Sequence, residues 1–120
     1  MEFFGFVDEK TKKDLLSTSH AMLFPAVREG WGLTVIEANR CGTPVIGYAV
    51  PGLRDSICHG TNGYLVKSGD IEGMAGATSS LLKNKEELKQ LSFKSIEYSK
   101  QFSWDKSADE FLSVLERCLK

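Results

Sequence analysis

The sequence has few cysteines, few histidines and almost no net charge, and these shortages exclude several kinds of protein. Its three cysteines, Cys41, Cys58 and Cys118, are widely spaced, and only two histidines accompany them. A disulfide framework and a zinc site are therefore disfavoured, and we expect reduced cysteines that behave as small buried apolar side chains. The 15 Lys and Arg residues against 16 Asp and Glu residues leave a net charge of −1. So small a charge argues against a nucleic-acid partner.

Long apolar runs and a leader sequence are missing too. Apolar runs such as residues 21–24 are far shorter than the roughly 18 residues of a membrane span. No basic stretch followed by an apolar core and a cleavage site stands at the N-terminus, which predicts a cytoplasmic protein. A longer protein containing this chain could also bind a membrane surface peripherally. The length of 120 residues, with 42% hydrophobic and 26% charged residues, predicts one globular domain.

Short apolar runs alternate with helical patterns over much of the chain. We predict strands at 3–7, 21–24, 44–47 and 63–66, a helical turn near 53–58, and helices at 8–18, 33–41, 71–82, 85–99 and 103–120. This alternation predicts an α/β fold with a parallel sheet, because antiparallel neighbours would be joined by short hairpins. In the last helix, Trp104 and an apolar stripe around Phe111 are expected to lie in the core.

The number of strands indicates an incomplete sheet. A doubly wound dinucleotide-binding domain has about six strands, and only four are predicted here, so the chain looks like a Rossmann-like half-domain with C-terminal helices. The first strand, residues 3–7, would then present an unpaired apolar edge. Such edges pair readily with another chain, and we predict a homodimer formed through this one.

The segment REGWGLTVIEANRCGTPVIG, residues 28–47, places Glu29 and Glu37 around two glycines. In parallel α/β sheets, ligands bind beyond the carboxyl ends of the strands, where this loop would lie. Gly30 and Gly32 remove side chains just before a helix start, so the free N–H groups of the first turn can face an anion such as a diphosphate. Glu29 should then face hydroxyl groups, and Glu37 could accept hydrogen bonds from a vicinal diol such as a ribose.

Each of these features also has a purely structural alternative. Thr34 and Glu37 have the spacing of a capping box, in which the threonine caps the helix and the glutamate bonds back to its amide. Glu29 could be an exposed loop acid. Trp31 could line a sugar pocket or pack against the sheet. His59 has the context of an exposed or satisfied loop histidine.

Four motifs in fixed order carry a family resemblance: EGWGLTVIEA, GTPVIG, PGLRDSI and GTNGYLV. With FFGFV before them and FSW at 102–104, the chain resembles the retaining nucleotide-sugar glycosyltransferases of the GT-B fold, family 4 (glycosyl transferases group 1). The resemblance covers nearly the whole chain. It implies that residues 1–120 are a single truncated nucleotide-sugar-binding domain from the C-terminal part of a GT-B fold.

The resemblance also implies roles for individual residues. Glu29 would contact the donor-sugar hydroxyls near the anomeric carbon and is the catalytic candidate, while Glu37 would bind the ribose. Backbone amides in the loop would hold the diphosphate or sugar, and the segment after the first strand would contact the base, although it could equally be an ordinary strand-to-helix turn. The implied donor-binding residues are Glu29, Gly30, Trp31, Gly32, Leu33, Thr34, Glu37, Gly5, Phe6 and Val7.

The implied reaction moves a sugar from a nucleotide-diphosphate sugar to an acceptor hydroxyl with retention at the anomeric carbon. Glu29 would act either as a nucleophile or, in a front-face reaction, only by positioning the sugar. No cofactor and no metal ion are expected, because the chain has no Asp-x-Asp motif and a helix N-terminus can offset leaving-group charge.

The sequence departs from the family in what it leaves out. The family's diphosphate-gripping Arg and Lys and its N-terminal acceptor domain are absent, so we expect the isolated chain to be inactive. Arg28 and Arg54 are expected to be solvated surface charges, and Asp55 stands where the family usually has Glu. The main alternative is a stand-alone nucleotide-sugar binding or assembly module. A sugar-nucleotide epimerase is disfavoured, because it would not need both Glu29 and Glu37.

Overall fold

Helices and short parallel strands alternate along the chain, as the apolar pattern predicts. The computed structural model describes residues 2–30, 32–102 and 104–118. In chain order the elements are α1 (Glu9–Thr18), β1 (Met22–Phe24), α2 (Leu33–Arg40), β2 (Val45–Tyr48), α3 (Leu53–Ser56), β3 (Gly63–Val66), α4 (Ile71–Lys83), α5 (Lys85–Ser99) and α6 (Trp104–Cys118). The α/β class and the C-terminal helices are therefore confirmed.

The sheet is parallel and its strand order, β1-β2-β3, follows the order of the chain. Met22 lies opposite Val45 on one side of β2, and Gly63 lies opposite Val45 on the other. All four residues of β2 are buried, as expected for a parallel strand covered on both faces. The carboxyl ends of the three strands consequently lie along one edge of the sheet, and the loops that follow β1 and β2 are neighbours.

The prediction of a strand at residues 3–7 is wrong. The described part of the chain has three strands, whereas four were predicted. This segment forms no regular structure, and Phe3, Phe4 and Phe6 are 91%, 53% and 108% exposed. An apolar run becomes a strand only where a neighbour accepts and donates its ladder hydrogen bonds. No described residue pairs with 3–7.

Helix α2 lies at the centre of the packing and so fixes the position of its own N-terminus. It contacts β2, α1, α3 and α5, and it contributes Val35, Ala38 and the buried amide of Asn39 to the interior. Two hydrogen bonds hold its C-terminal end: Ser92 Oγ donates to Gly42 O at 2.6 Å, and Arg40 Nη2 donates to Phe102 O at 2.5 Å. The helix predicted at 33–41 is confirmed to within one residue at its end, and Gly42 follows it with a φ of +80°.

Two predictions about burial are wrong. Every described side chain of α6 is exposed, including Phe111 at 63% and Val114 at 47%, so the apolar stripe lies outside the core. All three cysteines are free as predicted, but Cys58 and Cys118 are exposed. In both cases the sequence identifies an apolar side chain and not the element that would cover it. No helix within the described ranges is long and apolar enough to span a membrane.

Candidate functional site

The loop carrying Glu29 and the loop beginning at Pro51 meet at the carboxyl edge of the sheet. They follow the adjacent parallel strands β1 and β2, and Gly52 lies against the backbone of Glu29 and Gly30. A Cβ atom at Gly52 would be 2.1 Å from Glu29 O and 2.7 Å from Gly30 O. The Glu29 loop is therefore held at the carboxyl edge of the sheet, where the topology predicts a ligand site.

The N-terminus of α2 is formed by a glycine without a side-chain cap. Gly32 is the N-cap residue, with φ of +79° and ψ of +52°, and no side chain bonds to the first turn. Val35 N donates to Gly32 O at 2.9 Å. The capping box is therefore wrong: Thr34 lies inside the helix, and Glu37 makes no capping bond. A first turn without a side-chain cap leaves backbone donors for another acceptor.

Glu37 lies one turn along α2 on its outer face and is ion-paired with α1. Lys12 Nζ is 2.7 Å from Glu37 Oε2 and 3.3 Å from Glu9 Oε1. These carboxylates, chiefly Glu37, raise the pKa of Lys12 above its ordinary value. No described group donates to Glu37 Oε1, which remains available as an acceptor.

Glu29 and Gly30 border open space. Glu29 is partly buried and Gly30 is exposed, and a Cβ atom at Gly30 would meet nothing within 4 Å. Leu33, one turn before Glu37 on the same face, is 59% exposed. Glu29, Gly30, Gly32, Leu33, Thr34 and Glu37 therefore lie in the loop that precedes α2, at its N-cap and in its first five residues.

Among the described residues, no hydrogen bond joins Gly5, Phe6 or Val7 to the loop after β1. Gly5 and Phe6 are exposed, and Val7 is partly exposed. Trp31 lies outside the described residues. The base contact predicted for Gly5, Phe6 and Val7 and the sugar-pocket role of Trp31 remain predictions.

A buried amide pair beneath the site was not predicted from the sequence. Asn62 Nδ2 donates to Asn39 Oδ1 at 2.7 Å and to Ser56 O at 2.8 Å, and Asn62 Oδ1 accepts from Cys58 N at 2.6 Å. All three side chains, Asn39, Ser56 and Asn62, are fully buried. The pair ties α2 to α3 and to the turn before β3. The only sequence signal was Asn62 itself within GTNG, which also suits a plain turn.

Three side chains for which the sequence predicts no ligand contact are exposed or hydrogen-bonded within the fold. Arg28 and Arg54 are exposed, and no described group pairs with either of them. His59 Nδ1 accepts a hydrogen bond from Leu65 N at 2.9 Å, and its ring packs edge-on against Tyr64. Within the described ranges, no three His, Cys, Asp or Glu residues are grouped as a metal site would require.

Comparisons with known proteins identify relatives of most of the chain. A family profile described as "Glycosyl transferases group 1" matches residues 1–102. A D-inositol 3-phosphate glycosyltransferase of Rhodococcus erythropolis is 36% identical over 99 residues, which are 82% of this chain and 22% of the relative. A second D-inositol 3-phosphate glycosyltransferase, from Mycobacterium marinum, matches over 26% of its length. The chain thus spans about a quarter of the length of these curated relatives.

Solved structures agree in fold. Sucrose-phosphate synthase from Thermosynechococcus elongatus superposes with a TM-score of 0.89 at 28% identity, covering 98% of this chain and 30% of that one. The Anabaena protein HepE, solved in complex with UDP, gives a TM-score of 0.81 at 19% identity over 86% of this chain and 29% of that one. The parallel sheet with its C-terminal helices is the arrangement found in GT-B glycosyltransferases.

Proposed function

Because the chain belongs to the glycosyl transferases group 1 family, we propose that it forms the donor-binding part of a retaining, family 4 glycosyltransferase. Such an enzyme moves a sugar from a nucleotide-diphosphate sugar to an acceptor hydroxyl. The observation that supports the proposal is the start of α2, where Gly32 provides no side-chain cap; Glu29 precedes it in the loop and Glu37 follows it one turn along the helix. Two carboxylates suit hydroxyl groups, and the helix start between them suits a diphosphate.

The diphosphate is assigned to the first turn of α2. With glycine at the N-cap, the backbone N–H groups of Gly32, Leu33 and Thr34 are the donors, and the helix dipole favours an anion at this end. The open space beside Gly30 gives a ligand close access to the backbone. No metal ion and no cofactor are part of the proposal, since these backbone dipoles stabilise the charge that develops on the leaving diphosphate.

The two glutamates are assigned to opposite ends of the donor. Glu37 accepts hydrogen bonds from the ribose hydroxyls through Oε1, while Oε2 stays with Lys12. Glu29 accepts from hydroxyls of the transferred sugar, beside the anomeric carbon. Trp31 lines the sugar pocket, and Gly5, Phe6 and Val7 reach the base. This placement keeps both carboxylates away from the phosphates, which would repel them.

In the proposed reaction Glu29 positions the donor sugar. The bond between the anomeric carbon and the diphosphate oxygen breaks, and the acceptor oxygen bonds to that carbon on the same face. The acceptor proton passes to the departing diphosphate oxygen. If Glu29 instead acted as a nucleophile, an ester between its carboxylate and the sugar would form and then be displaced, and mass spectrometry of the protein quenched during turnover would detect that ester.

The acceptor site is assigned to residues outside these 120. The chain spans about a quarter of its curated relatives, and we propose that an N-terminal acceptor domain completes the enzyme and that the isolated chain is inactive. Sugar transfer by the purified 120-residue chain would disprove this. Donor binding without transfer, even in the presence of an acceptor domain, would instead favour a stand-alone binding or assembly module.

A binding titration tests the Glu37 assignment with a matched pair of variants. Glu37→Ala and Lys12→Ala both remove the ion pair between α1 and α2, but only Glu37→Ala removes the carboxylate. The ligands are UDP, GDP and ADP, each with its 2′,3′-dideoxy counterpart. We expect Glu37→Ala to lose about tenfold or more in affinity for the ribose forms only, and Lys12→Ala to keep the preference for ribose.

Two results would contradict the proposal. If the parent chain binds no nucleoside diphosphate at millimolar concentration, α2 does not form a sufficient diphosphate site. If the parent binds but both variants lose affinity equally, the ion pair has only a structural role, and the ribose assignment is wrong.

A further inference from the structure

The contact between Gly52 and the Glu29 loop is closer than any side chain would permit. A Cβ atom at Gly52 would lie 2.1 Å from Glu29 O, 2.7 Å from Glu29 C and 2.7 Å from Gly30 O. All three neighbours are backbone atoms, which cannot swing aside as the end of a flexible side chain can. A methyl group at position 52 would therefore displace the peptide between Glu29 and Gly30 by roughly 1 Å to reach ordinary contact.

The two sides of this contact differ in how firmly they are held. Gly52 is buried, and its carbonyl accepts from Ser56 N and Ser56 Oγ, both at 3.3 Å. Ser56 O in turn accepts from the buried amide of Asn62 at 2.8 Å. By contrast, no hydrogen bond among the described residues involves residues 25–30. The described part of the loop that carries Glu29 therefore packs on the well-bonded Gly52, while no hydrogen bond among the described residues fixes its distance from the sheet.

Open space borders the same loop at Gly30, since nothing lies within 4 Å of a Cβ atom placed on that residue. We propose that Gly52 is a positioning residue for Glu29: its missing side chain sets how far the Glu29 backbone lies from the edge of the sheet. The consequence for sugar binding rests on the proposed function, in which the transferred sugar lies on the open side. A loop pushed off Gly52 moves Glu29 towards that space.

The structural half of this inference is tested without any ligand. Gly52→Ala is compared with Gly76→Ala, a glycine within α4 at which a Cβ atom would meet nothing within 4 Å. In ¹⁵N NMR spectra of the 120-residue chain, the amide resonances of Glu29 and Gly30 should shift strongly in Gly52→Ala and stay in place in Gly76→Ala. Unchanged Glu29 and Gly30 resonances in folded Gly52→Ala would overturn the proposal.

The parent chain supplies a measurement that remains valid if Gly52→Ala does not fold. Amide relaxation should show Glu29 and Gly30 to be as ordered on the nanosecond timescale as Gly52, because the contact restrains them. High mobility of the Glu29 and Gly30 amides beside an ordered Gly52 would overturn the proposal.

Binding measurements test the functional half. The probes are UDP and UDP-glucose, GDP and GDP-mannose, and ADP and ADP-glucose. In Gly52→Ala we expect the added affinity due to the sugar to fall about tenfold or more, while the affinity for the free diphosphate stays as in the parent, because misplacing one contact group by about 1 Å carries a large cost. An unchanged sugar increment would overturn the role of Gly52 in sugar binding. If the parent chain binds the nucleotide sugars no more tightly than the free diphosphates, the Glu29 assignment is disproved. The NMR comparison alone would then decide the role of Gly52.

Discussion

At the scale of single residues, Tyr64 and Glu87 form a pair that makes stability depend on pH. The Tyr64 hydroxyl donates to Glu87 Oε1. Desolvation, together with this bond and the carboxylate charge, raises the pKa of Tyr64 from 10.0 to about 12. Because the pKa is higher in the folded state, the stabilisation is complete below pH 10 and is lost as the pH rises from 10 to about 12. We predict that Tyr64→Phe loses less unfolding free energy over this interval than the parent, as measured by urea unfolding at each pH.

Glu87→Gln provides the matched control for Tyr64. It keeps an oxygen that can accept the phenol hydrogen but removes the negative charge, so the pKa of Tyr64 should fall towards 10.0 without loss of the hydrogen bond. The absorbance of tyrosinate during an alkaline titration reports this pKa directly. An alkaline loss of stability that is the same in Tyr64→Phe as in the parent would contradict the assignment.

Gly32 is the residue on which the start of α2 depends. Its left-handed φ of +79° costs any other L-residue about 1–2 kcal/mol, and a Cβ atom would lie 2.7 Å from Ser56 Oγ. We predict that Gly32→Ala lowers the unfolding free energy by about 2 kcal/mol, whereas Gly30→Ala, in open space, changes it by less than about 0.5 kcal/mol. Urea unfolding measures both. Equal effects of the two substitutions would show that the backbone at Gly32 is not under this constraint.

Predictions from the sequence succeeded at the residues whose role is local. The helices predicted at 8–18 and 33–41 have the right bounds to within one residue, because each end is set within one helical turn: Asp8 caps α1, accepting from Thr11 N at 2.8 Å, and Gly42 follows α2. The Thr34 and Glu37 capping box failed because Gly32, in a left-handed conformation, is the N-cap residue of α2 and lies two positions before Thr34. The Lys12 partner of Glu37 could not be predicted, since it depends on how α1 packs against α2.

At the scale of elements, the Asn39 and Asn62 pair holds α2, α3 and the turn before β3 together. Removing the Asn62 side chain leaves Ser56 O and Asn39 Oδ1 in the interior, and the partly buried Cys58 N, without this partner. Each buried group left unsatisfied costs roughly 1–3 kcal/mol. We therefore predict that Asn62→Ala lowers the unfolding free energy by at least about 3 kcal/mol, measured from the midpoint of urea unfolding.

The control for this element-scale prediction is Asn84→Ala. Asn84 caps α5 at the surface through a single bond, from Glu87 N at 3.1 Å, so its loss should cost only about 1 kcal/mol. If both substitutions cost the same, the buried amide pair does not stabilise the arrangement of α2 and α3 beyond an ordinary helix cap.

The three strands of the sheet could be predicted from the sequence, but the absence of a strand at residues 3–7 could not. β1, β2 and β3 lie within one residue of their predicted bounds, because apolar runs between helices have partners on the neighbouring strands. Residues 3–7 have the same apolar character without a described partner. The stripe on α6 failed for a related reason: a 3.6-residue period identifies the apolar face of a helix but not what covers that face.

At the scale of the whole molecule, the exposed apolar residues predict self-association. Phe3, Phe4 and Phe6 are exposed, and β1 is at an edge of the sheet, where unpaired backbone groups can bind another strand. We predict a homodimer through this edge, visible by sedimentation velocity. The triple substitution of Phe3, Phe4 and Phe6 by Ser should shift the chain to monomer.

The apolar face of α6 provides the competing surface. Phe111→Ser with Val114→Ser alters this exposed face and should leave the dimer intact. If these two substitutions abolish the dimer while the triple Phe→Ser variant retains it, the helix forms the interface and the sheet edge does not. A parent that remains monomeric at all concentrations would contradict self-association through either surface.

The close approach at Gly52 also bears on how such a site can evolve. The atoms that meet Gly52 belong to the main chain of Glu29 and Gly30, so replacing the Glu29 side chain leaves the contact unchanged, whereas no residue with a side chain fits at position 52. Mutation can therefore change the side chain at position 29 while the backbone position of that residue stays fixed. One scaffold can in this way acquire new donor preferences by single substitutions, without first rebuilding the loop that carries them.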